Sequence, residues 1–392
     1  MAVFANGKIE AYVGPPGLGA ADDLEAVIVD FIAGARTKLS IAVQELDSEA
    51  IARAILDASW RGVQVELFLE QDYLRSALKR EGGVPIKPVP SAGETPEQAL
   101  ERVQWGPDTT ELSENRRILA ALLRSDVQTR GDFNPKIFHQ KFILRDYFDG
   151  KATTPGNPAL LSGSANFTLT DTHVNLNHVF VFHNSFVCRQ YEVEFNQLRG
   201  GSFGRQRHGD VPETYNLSGV PVKVLFAPDH TPELEFMKQM LKGADVGSNE
   251  IVFAIFTFAG SSGIDDTMVA LSRGGTKIRG VLDPGQANQK WAAPKTMKPP
   301  IELFVPKKEG VFKTLRKLHH KLMVIDEQIV VAGSFNYTQP ANDYNDENLF
   351  VIGSIFPKVE NIEVDLAECQ ALAKHMKAEI ERIIAGSKPY TP

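Results

Sequence analysis

Two matched sets of six residues could do chemistry together. The later set lies in Leu318–Tyr337, LHHKLMVIDEQIVVAGSFNY, where His319, Lys321, Asp326, Gly333, Ser334 and Asn336 spell H-x-K-x4-D-x6-G-S-x-N. The earlier set lies in FHQKFILRD and LLSGSANFT, where His139, Lys141, Asp146, Gly163, Ser164 and Asn166 follow in the same order. Residues two apart on a strand share a face, so the His and Lys of each H-x-K point together, as do the Ser and Asn of each G-S-x-N. Each copy therefore offers an imidazole, an ammonium, a hydroxyl and a carboxamide. That set suits a phosphodiester. One imidazole can attack phosphorus while Lys and Asn donate to the non-bridging oxygens. A second, protonated, can hand a proton to the leaving oxygen. A single H-x-K-x4-D is a weak signal, whereas two, each followed by G-S-x-N, are a specific one.

The elements around these sets repeat as well. Lys8–Val13 reads as a strand, Asp22–Ala35 as a helix, Leu39–Val43 as a strand, Ser48–Trp60 as a helix and Val63–Leu69 as a strand. Val222–Phe226, Glu233–Leu241, Ile251–Phe258, Ile264–Arg273 and Lys277–Leu282 repeat the alternation, and an H-x-K segment follows each block. The apolar Phe142–Leu144 and Leu322–Ile325 suit buried strands, with Asp326-Glu327-Gln328 turning the chain so that Ile329–Val331 pairs back. In the first copy the turn is longer, Tyr147 to Pro158. This is a duplication of long period. The expected fold is α/β: two similar α-β-α sandwich halves, 1–199 and 222–392, each with a mixed, largely parallel sheet. A Gly-rich, polar linker spans 200–221, and a helix from Val359 to Ile384 closes the chain. The first half also carries an insertion, Leu74–Asn115, which is a lid or specificity element if it reaches the site and a surface decoration if it does not.

With its two H-x-K-x4-D and G-S-x-N motifs, the chain resembles the phospholipase D superfamily, nuclease-like branch. The resemblance covers both halves. It implies a pseudo-two-fold axis between them, a site at their interface, a covalent phosphohistidine intermediate and no cofactor or metal. Carried onto this chain, it makes His139 and His319 the nucleophile and general acid. Lys141, Lys321, Asn166 and Asn336 bind the phosphate, and Ser164 and Ser334 line the floor of the substrate site. Asp146 and Asp326 lie an odd number of positions after their His and are read as structural. Members of the superfamily commonly place an acidic residue eleven positions after the motif Asn. Here that position holds Glu347 in the second copy and Asn177 in the first. A carboxylate beside an imidazole raises its pKa, which suits His319 as general acid and leaves His139 as nucleophile. Two alternatives stay open: the carboxylate also sharpens a nucleophile, and the other half can supply the missing partner.

A formal charge of −7 excludes a uniformly basic nucleic-acid coat and leaves room for a local basic groove. Pro306–Lys321 is such a stretch. Lys307, Lys308, Lys313, Arg316, Lys317 and Lys321 face Glu309 alone, and Arg316 and Lys317 are the candidate substrate contacts. Cys188 and Cys369 are the only cysteines, which points to a reducing compartment without a disulfide framework. The start of the chain has no basic-then-apolar leader, and no apolar run reaches the ~20 residues of a membrane helix. The expected location is the cytoplasm, with no membrane anchor. With both motifs in one chain, a monomer could complete the site. His173, His178 and His183 recur every five residues, which fits neither a helix face nor a strand face and argues against a metal site. Gly14–Gly19 lacks the order of a phosphate loop and reads as a plain turn. The chemistry suits a nuclease acting on DNA or RNA, with a phospholipase D or phosphatidyltransferase acting on lipid as the alternative. The basic approach to His319 favours the former.

Overall fold

The computed structural model describes residues 2–71, 80–81, 84–85, 110–148, 157–206, 211–245, 250–297 and 301–392. Most of the 74–115 insertion lies outside the described residues, so its reading as a lid stays an expectation. The strands that matter are β1 (Ala2–Phe4), β2 (Ile9–Gly14), β3 (Lys38–Val43), β4 (Gln64–Leu69), β5 (Gln128–Gly131), β6 (Lys141–Arg145), β7 (Ala159–Gly163) and β8 (Asn175–Phe182) in the first sheet. The second sheet holds β9 (Thr214–Leu217), β10 (Val220–Ala227), β11 (Glu250–Ile255), β12 (Lys277–Leu282), β13 (Glu302–Pro306), β15 (Lys321–Ile325), β16 (Ile329–Gly333), β17 (Glu347–Gly353) and β18 (Ser387–Pro389). A two-residue strand, β14 (Lys317–Leu318), precedes β15 in the chain but pairs with β8 of the first sheet.

Strand order runs β2-β8-β7-β6-β3-β4-β5 in the first sheet and β10-β17-β16-β15-β11-β12-β13 in the second, the same plan twice. Both sheets are mixed, in an α/β fold, but they are not largely parallel. Along these two paths, parallel pairing is confined to β3-β4-β5 and β11-β12-β13. Every other pairing along these two paths is antiparallel. The reason is local: each H-x-K strand turns straight back on itself, and a direct return makes an antiparallel neighbour. In the second copy the return is tight, with Asp326 and Glu327 in the left-handed region at φ 54° and 51°.

The segment expected as linker also carries structure. Gly204–Gln206 is a helical turn, and β9 and β10 form a hairpin whose Ser218 and Gly219 adopt φ 52° and 89°. A Ser-Gly pair between two alternating stretches is a hairpin signal that the Gly and polar content hid.

Seven helices longer than five residues cover the sheets among the described residues: α1 (Leu24–Ala33), α2 (Glu49–Trp60), α3 (Thr110–Leu123), α5 (Ser185–Arg199), α6 (Pro232–Asp245), α7 (Gly263–Arg273) and α9 (Leu366–Ala385). Two short ones, α4 (Leu169–His173) and α8 (Gln339–Asp343), follow the G-S-x-N segments. The last helix starts later than its apolar pattern suggests, because Lys358–Val359 and Ile362–Glu363 pair as a small ribbon. Alternation along each strand feeds two cores. Ile143 and Leu161 pack outward with α1 and α2, and Leu225 and Met323 outward with α6 and α7. Phe142, Phe180, Val224, Phe226, Leu322 and Phe350 face inward, into one core shared by both sheets, α5 and α9. Ring pairs join the halves directly, with Phe180 5.2 Å from Phe350 and Tyr191 5.0 Å from Phe226. Burying apolar area between the sheets fixes their separation, and with it the distance between the two motif copies.

Candidate active site at the junction of the two sheets

Each H-x-K segment is pinned to the opposite half before it enters its own sheet. The backbone N–H of His139 donates to the carbonyl of Asp346 at 3.0 Å, and that of His319 donates to the carbonyl of Leu176 at 2.9 Å. Phe138 bridges to Asp346, and β14 runs parallel to Asn175–Leu176. These crossings place each imidazole beside the residue eleven positions after the other copy's Asn. Lys141 and Lys321 then open β6 and β15, almost wholly buried, with Nζ donating back to the carbonyls of His139 (3.0 Å) and His319 (2.8 Å).

The ring partners are therefore exchanged between the copies. Glu347 does not sit on His319. Its Oε2 lies 2.6 Å from Nδ1 of His139, and the Ser334 hydroxyl donates to the same oxygen at 2.6 Å. Nδ1 of His319 instead meets Oδ1 of Asn177 at 3.0 Å, and the Ser164 hydroxyl donates to that oxygen at 2.7 Å. The physical reason is the strand crossing: the carboxylate and the histidine of one copy end up on opposite sides of the junction. Ser164 and Ser334 were expected at the substrate floor. Both are fully buried, with their hydroxyls directed at Asn177 and Glu347, so they hold the ring partners in place. With both Nδ1 atoms engaged, each ring has Nε2 left for a substrate.

Burial sets the charge state. Desolvation pulls His139 down to about 4, against the opposing pull of Glu347 and with Lys141 adding to the fall. Desolvation, then Lys321, Lys141 and His139, hold His319 well below the ordinary imidazole value. Lys141 is lowered to about 8 by burial, with Glu347 and Asp171 opposing. Lys321 is held well below the usual lysine value by burial and by Lys141. The four groups feel one another, as groups around one small volume must. A dry cluster of basic groups is relieved by an anion, and a phosphodiester brings one negative charge.

The remaining motif residues separate into two kinds. Asp146 accepts from the backbone N–H groups of Arg36, Thr37 and Lys38 (2.7 to 3.1 Å), and Asp326 accepts from Glu250 N–H at 3.3 Å. Both tie the end of the H-x-K strand to the start of its neighbour, so both are structural. Asn166 is buried, and its Oδ1 is a buried oxygen with no hydrogen-bond partner among the described residues. Oδ1 of Asn336 accepts from Thr257 N–H at 3.3 Å. Lys317 and Arg316, just before His319 in the chain, are exposed. Nζ of Lys317 lies 5.5 Å from the centroid of Phe256, a ring that also faces Lys321 at 5.2 Å and His319 at 4.9 Å. On the His139 side Lys136 and Arg205, both exposed, lie 5.9 and 4.3 Å from the centroid of Tyr344.

Sequence reasoning passed over several neighbours. Gln44 accepts from Lys141 at 3.2 Å, where the matching position of the second copy is Phe256. Asp171 Oδ2 lies 3.5 Å from Nδ1 of His319. Beneath the rings, Gln140 pairs with Asn348 at 2.8 Å, and His320 with His178 at 3.1 Å. Laying one motif copy over the other would have flagged each of these positions. His173, His178 and His183 do not converge: His173 neighbours Glu25, His178 stacks on His320, and His183 meets Glu10. Among the described residues no group of three or more His, Cys, Asp or Glu could hold a metal ion. No described helix is long and apolar enough to cross a membrane.

Residues 28–199 and 237–380 match the family described as "Cardiolipin synthase, PLD-like domain". A mitochondrial cardiolipin hydrolase of Chlamydomonas reinhardtii is 28% identical over 127 residues, 31% of this chain and 52% of that protein. A phospholipase D of Rickettsia conorii is 32% identical over 79 residues, 20% of this chain and 36% of that protein. The matched part is thus about half or less of these relatives' own length. Among solved structures, phosphatidylserine synthase of Haemophilus influenzae is similar over 100% of this chain and 88% of its own, with a TM-score of 0.59 at 11% identity. That last likeness concerns the fold.

Proposed function

Since this chain belongs to the phospholipase D-like family, a superfamily of phosphodiesterases, we propose that it is a nuclease working through a phosphohistidine on His139. The observation that carries the choice of substrate is the rim. Each side of the buried cluster presents an exposed cation at a half-buried aromatic ring: Lys136 and Arg205 at Tyr344, and Lys317 at Phe256, with the exposed Arg316 next to Lys317 in the chain. Cations that follow a backbone, interleaved with rings on which bases stack, suit a nucleic acid strand.

The steps follow from the ring partners. Nε2 of His139 attacks phosphorus and the bond to the leaving oxygen breaks. The phosphorylated ring is cationic, and Glu347 against Nδ1–H stabilises that charge. Lys141, Lys321 and Asn336 donate to the non-bridging oxygens. His319 gives the leaving oxygen a proton from Nε2. Its main ring partner is a neutral carboxamide, which makes that proton easier to release than a carboxylate would. Water then enters, His319 takes its proton, and oxygen replaces His139 nitrogen on phosphorus. His139 is thus the nucleophile because it holds the carboxylate across the junction, the opposite of the reason read from spacing. The two lysine ammoniums occupy the charge-stabilising role that a metal serves in other phosphoryl-transfer sites.

A second reading has its own observation. Phe133 and Ile137, beside the His139 segment, are 77% and 43% exposed, and such side chains could meet an acyl chain. The cardiolipin hydrolase and phospholipase D among the relatives lean the same way. One assay decides between them: labelled single- and double-stranded DNA and RNA beside phosphatidylcholine and cardiolipin vesicles, all in excess EDTA. Oligonucleotide cleavage without lipid turnover is expected. Lipid turnover alone would transfer the site to phospholipids, and strict dependence on added divalent ion would remove the phosphohistidine mechanism.

A further inference from the structure

We infer that Asp171 is a second positioning carboxylate, holding His319 in place of the glutamate that the Asn177 position lacks. The inference rests on the phosphodiesterase reading and adds a residue to it. The two motif copies differ at two linked positions. Eleven residues after the motif Asn stand Asn177 and Glu347, and five residues after it stand Asp171 and Ala341. Each copy thus carries one carboxylate, at different places. Asp171 is 3% exposed and His319 is 4% exposed. Oδ2 of Asp171 lies 3.5 Å from Nδ1 of His319 and accepts from Asn166 N–H at 2.7 Å, while Oδ1 accepts from the Asn175 side chain. Asn177 meets the backbone of the same residue, with Nδ2 donating to the main-chain carbonyl of Asp171 at 2.9 Å. The imidazole therefore faces an amide oxygen and, just behind it, a carboxylate.

A purely structural duty for Asp171 is answered by its counterpart. The turn into α4 is closed by the Thr168 hydroxyl accepting from Asp171 N–H at 3.1 Å, and the turn into α8 by Thr338 accepting from Ala341 N–H at 3.2 Å. The second copy closes this turn with no carboxylate at that place, so the side chain is not needed to close it. What the first copy gains is negative charge beside the ring that must carry a proton to the leaving group. A carboxylate one step removed steadies the imidazolium less than the direct contact of Glu347 with His139, which suits a proton donor.

The test uses the full chain and two phosphodiesters, one with a p-nitrophenolate leaving group and one with an alkoxide, such as a dinucleotide. Nitrophenolate departs without a proton. Asp171→Asn should slow alkoxide release by roughly 10²-fold, the usual reach of general acid catalysis, while the first turnover of nitrophenolate changes by less than about threefold. Asp171→Glu, which keeps a carboxylate at that place while Asn177 stays the direct ring partner, should retain most of the alkoxide rate. In ¹⁵N-histidine spectra, Asp171→Asn should move the His319 ring resonances and leave those of His139 in place. Equal losses on both diesters, no loss on either, a loss in Asp171→Glu as large as in Asp171→Asn, or an unmoved His319 ring would each overturn the inference. If the wild type cleaves neither diester, the phosphodiesterase reading fails instead, and the spectra still decide whether Asp171 governs the His319 ring.

Discussion

Around His139 the ring partner is a carboxylate and the lysine partner a carboxamide, Glu347 and Gln44. Around His319 the ring partner is a carboxamide, Asn177, and the lysine neighbour is the Phe256 ring. The backbones that hold these groups superpose strand for strand in order and register. A duplicated scaffold therefore supplies two equivalent seats, and the chain fills them with different electrostatics. A symmetric site could use either imidazole for either step. In the proposed mechanism, this one steadies positive charge on His139 and makes it easy to lose from His319, which would split nucleophile from acid.

The largest expected effect breaks that division outright. His139→Ala and His319→Ala should each lower turnover by at least about 10⁴-fold, since each removes a group that acts in both chemical steps. They should differ in what they leave behind. With a p-nitrophenyl diester, His319→Ala can still form the phosphoenzyme and lacks the base that hydrolyses it, so label should collect on residue 139. His139→Ala should collect none. Label on residue 319 would reverse the assignment.

A smaller effect appears in the pH profile. His139 is neutral, and so able to attack, above about pH 4, whereas an ordinary imidazole would need a pH above its usual value near 6.5. Lys141 loses its proton near pH 8, so a donor to the phosphate weakens as pH rises through that value. With a p-nitrophenyl diester, whose leaving group needs no proton from His319, kcat/KM should hold well below pH 6 on the acid side and fall about tenfold per unit above pH 8. With an alkoxide leaving group the alkaline fall should begin earlier, because burial also lowers His319. Glu347→Gln removes the group that raises His139, so its acid limb should move to still lower pH while turnover falls. An acid limb left at 6.5 in wild type would mean the site is wetter than its burial implies.

How much of this could be read beforehand depends on distance along the chain. The motifs, the duplication and the run of strands and helices were legible because the matching spacing and the alternation are local properties. The pairing of His139 with Glu347 was not. It spans 208 residues and follows from a backbone crossing at Phe138 and Asp346 that no periodicity announces. The antiparallel majority is hidden for a related reason: β-α-β alternation implies parallel neighbours, and the return of each H-x-K strand, which makes antiparallel ones, leaves no periodic mark in the sequence. Asp171 was legible in principle. Its contrast with Ala341 shows as soon as one copy is laid on the other, but an acidic residue at the start of a short helix has an ordinary explanation, and the ordinary one was enough.

The smallest expected effect lies beneath the rings, where the comparison continues. Gln140 and Asn348 form one floor, fully satisfied. Gln140 donates to Glu194 at 2.9 Å, and Asn348 donates to Gln140 and accepts from Ser162 at 2.9 Å. His320 and His178 form the other, with Nδ1 facing Nδ1 at 3.1 Å and Glu379 3.5 Å from Nε2 of His320. One ring must donate and the other accept, so the pair holds only while at most one Nδ1–H points inward. Burial lowers both imidazoles below their ordinary value. The sign follows from proton counting. Between the folded and unfolded values the unfolded chain binds more protons, so this floor's stability is complete above about pH 6.5 and declines as pH falls, by at most about 1.4 kcal/mol per unit for each ring. Replacing the pair by the other floor's residues, His178→Asn with His320→Gln, should flatten the loss of stability between pH 6.5 and 5, read as the urea midpoint at each pH. His139, His319 and His375 are also lowered and keep their share of the slope. Activity at neutral pH should change by less than about tenfold, because neither ring reaches the substrate side. An unchanged slope in the double variant would mean that the two rings already share a proton in the folded chain, and that this floor is charged where its counterpart is neutral.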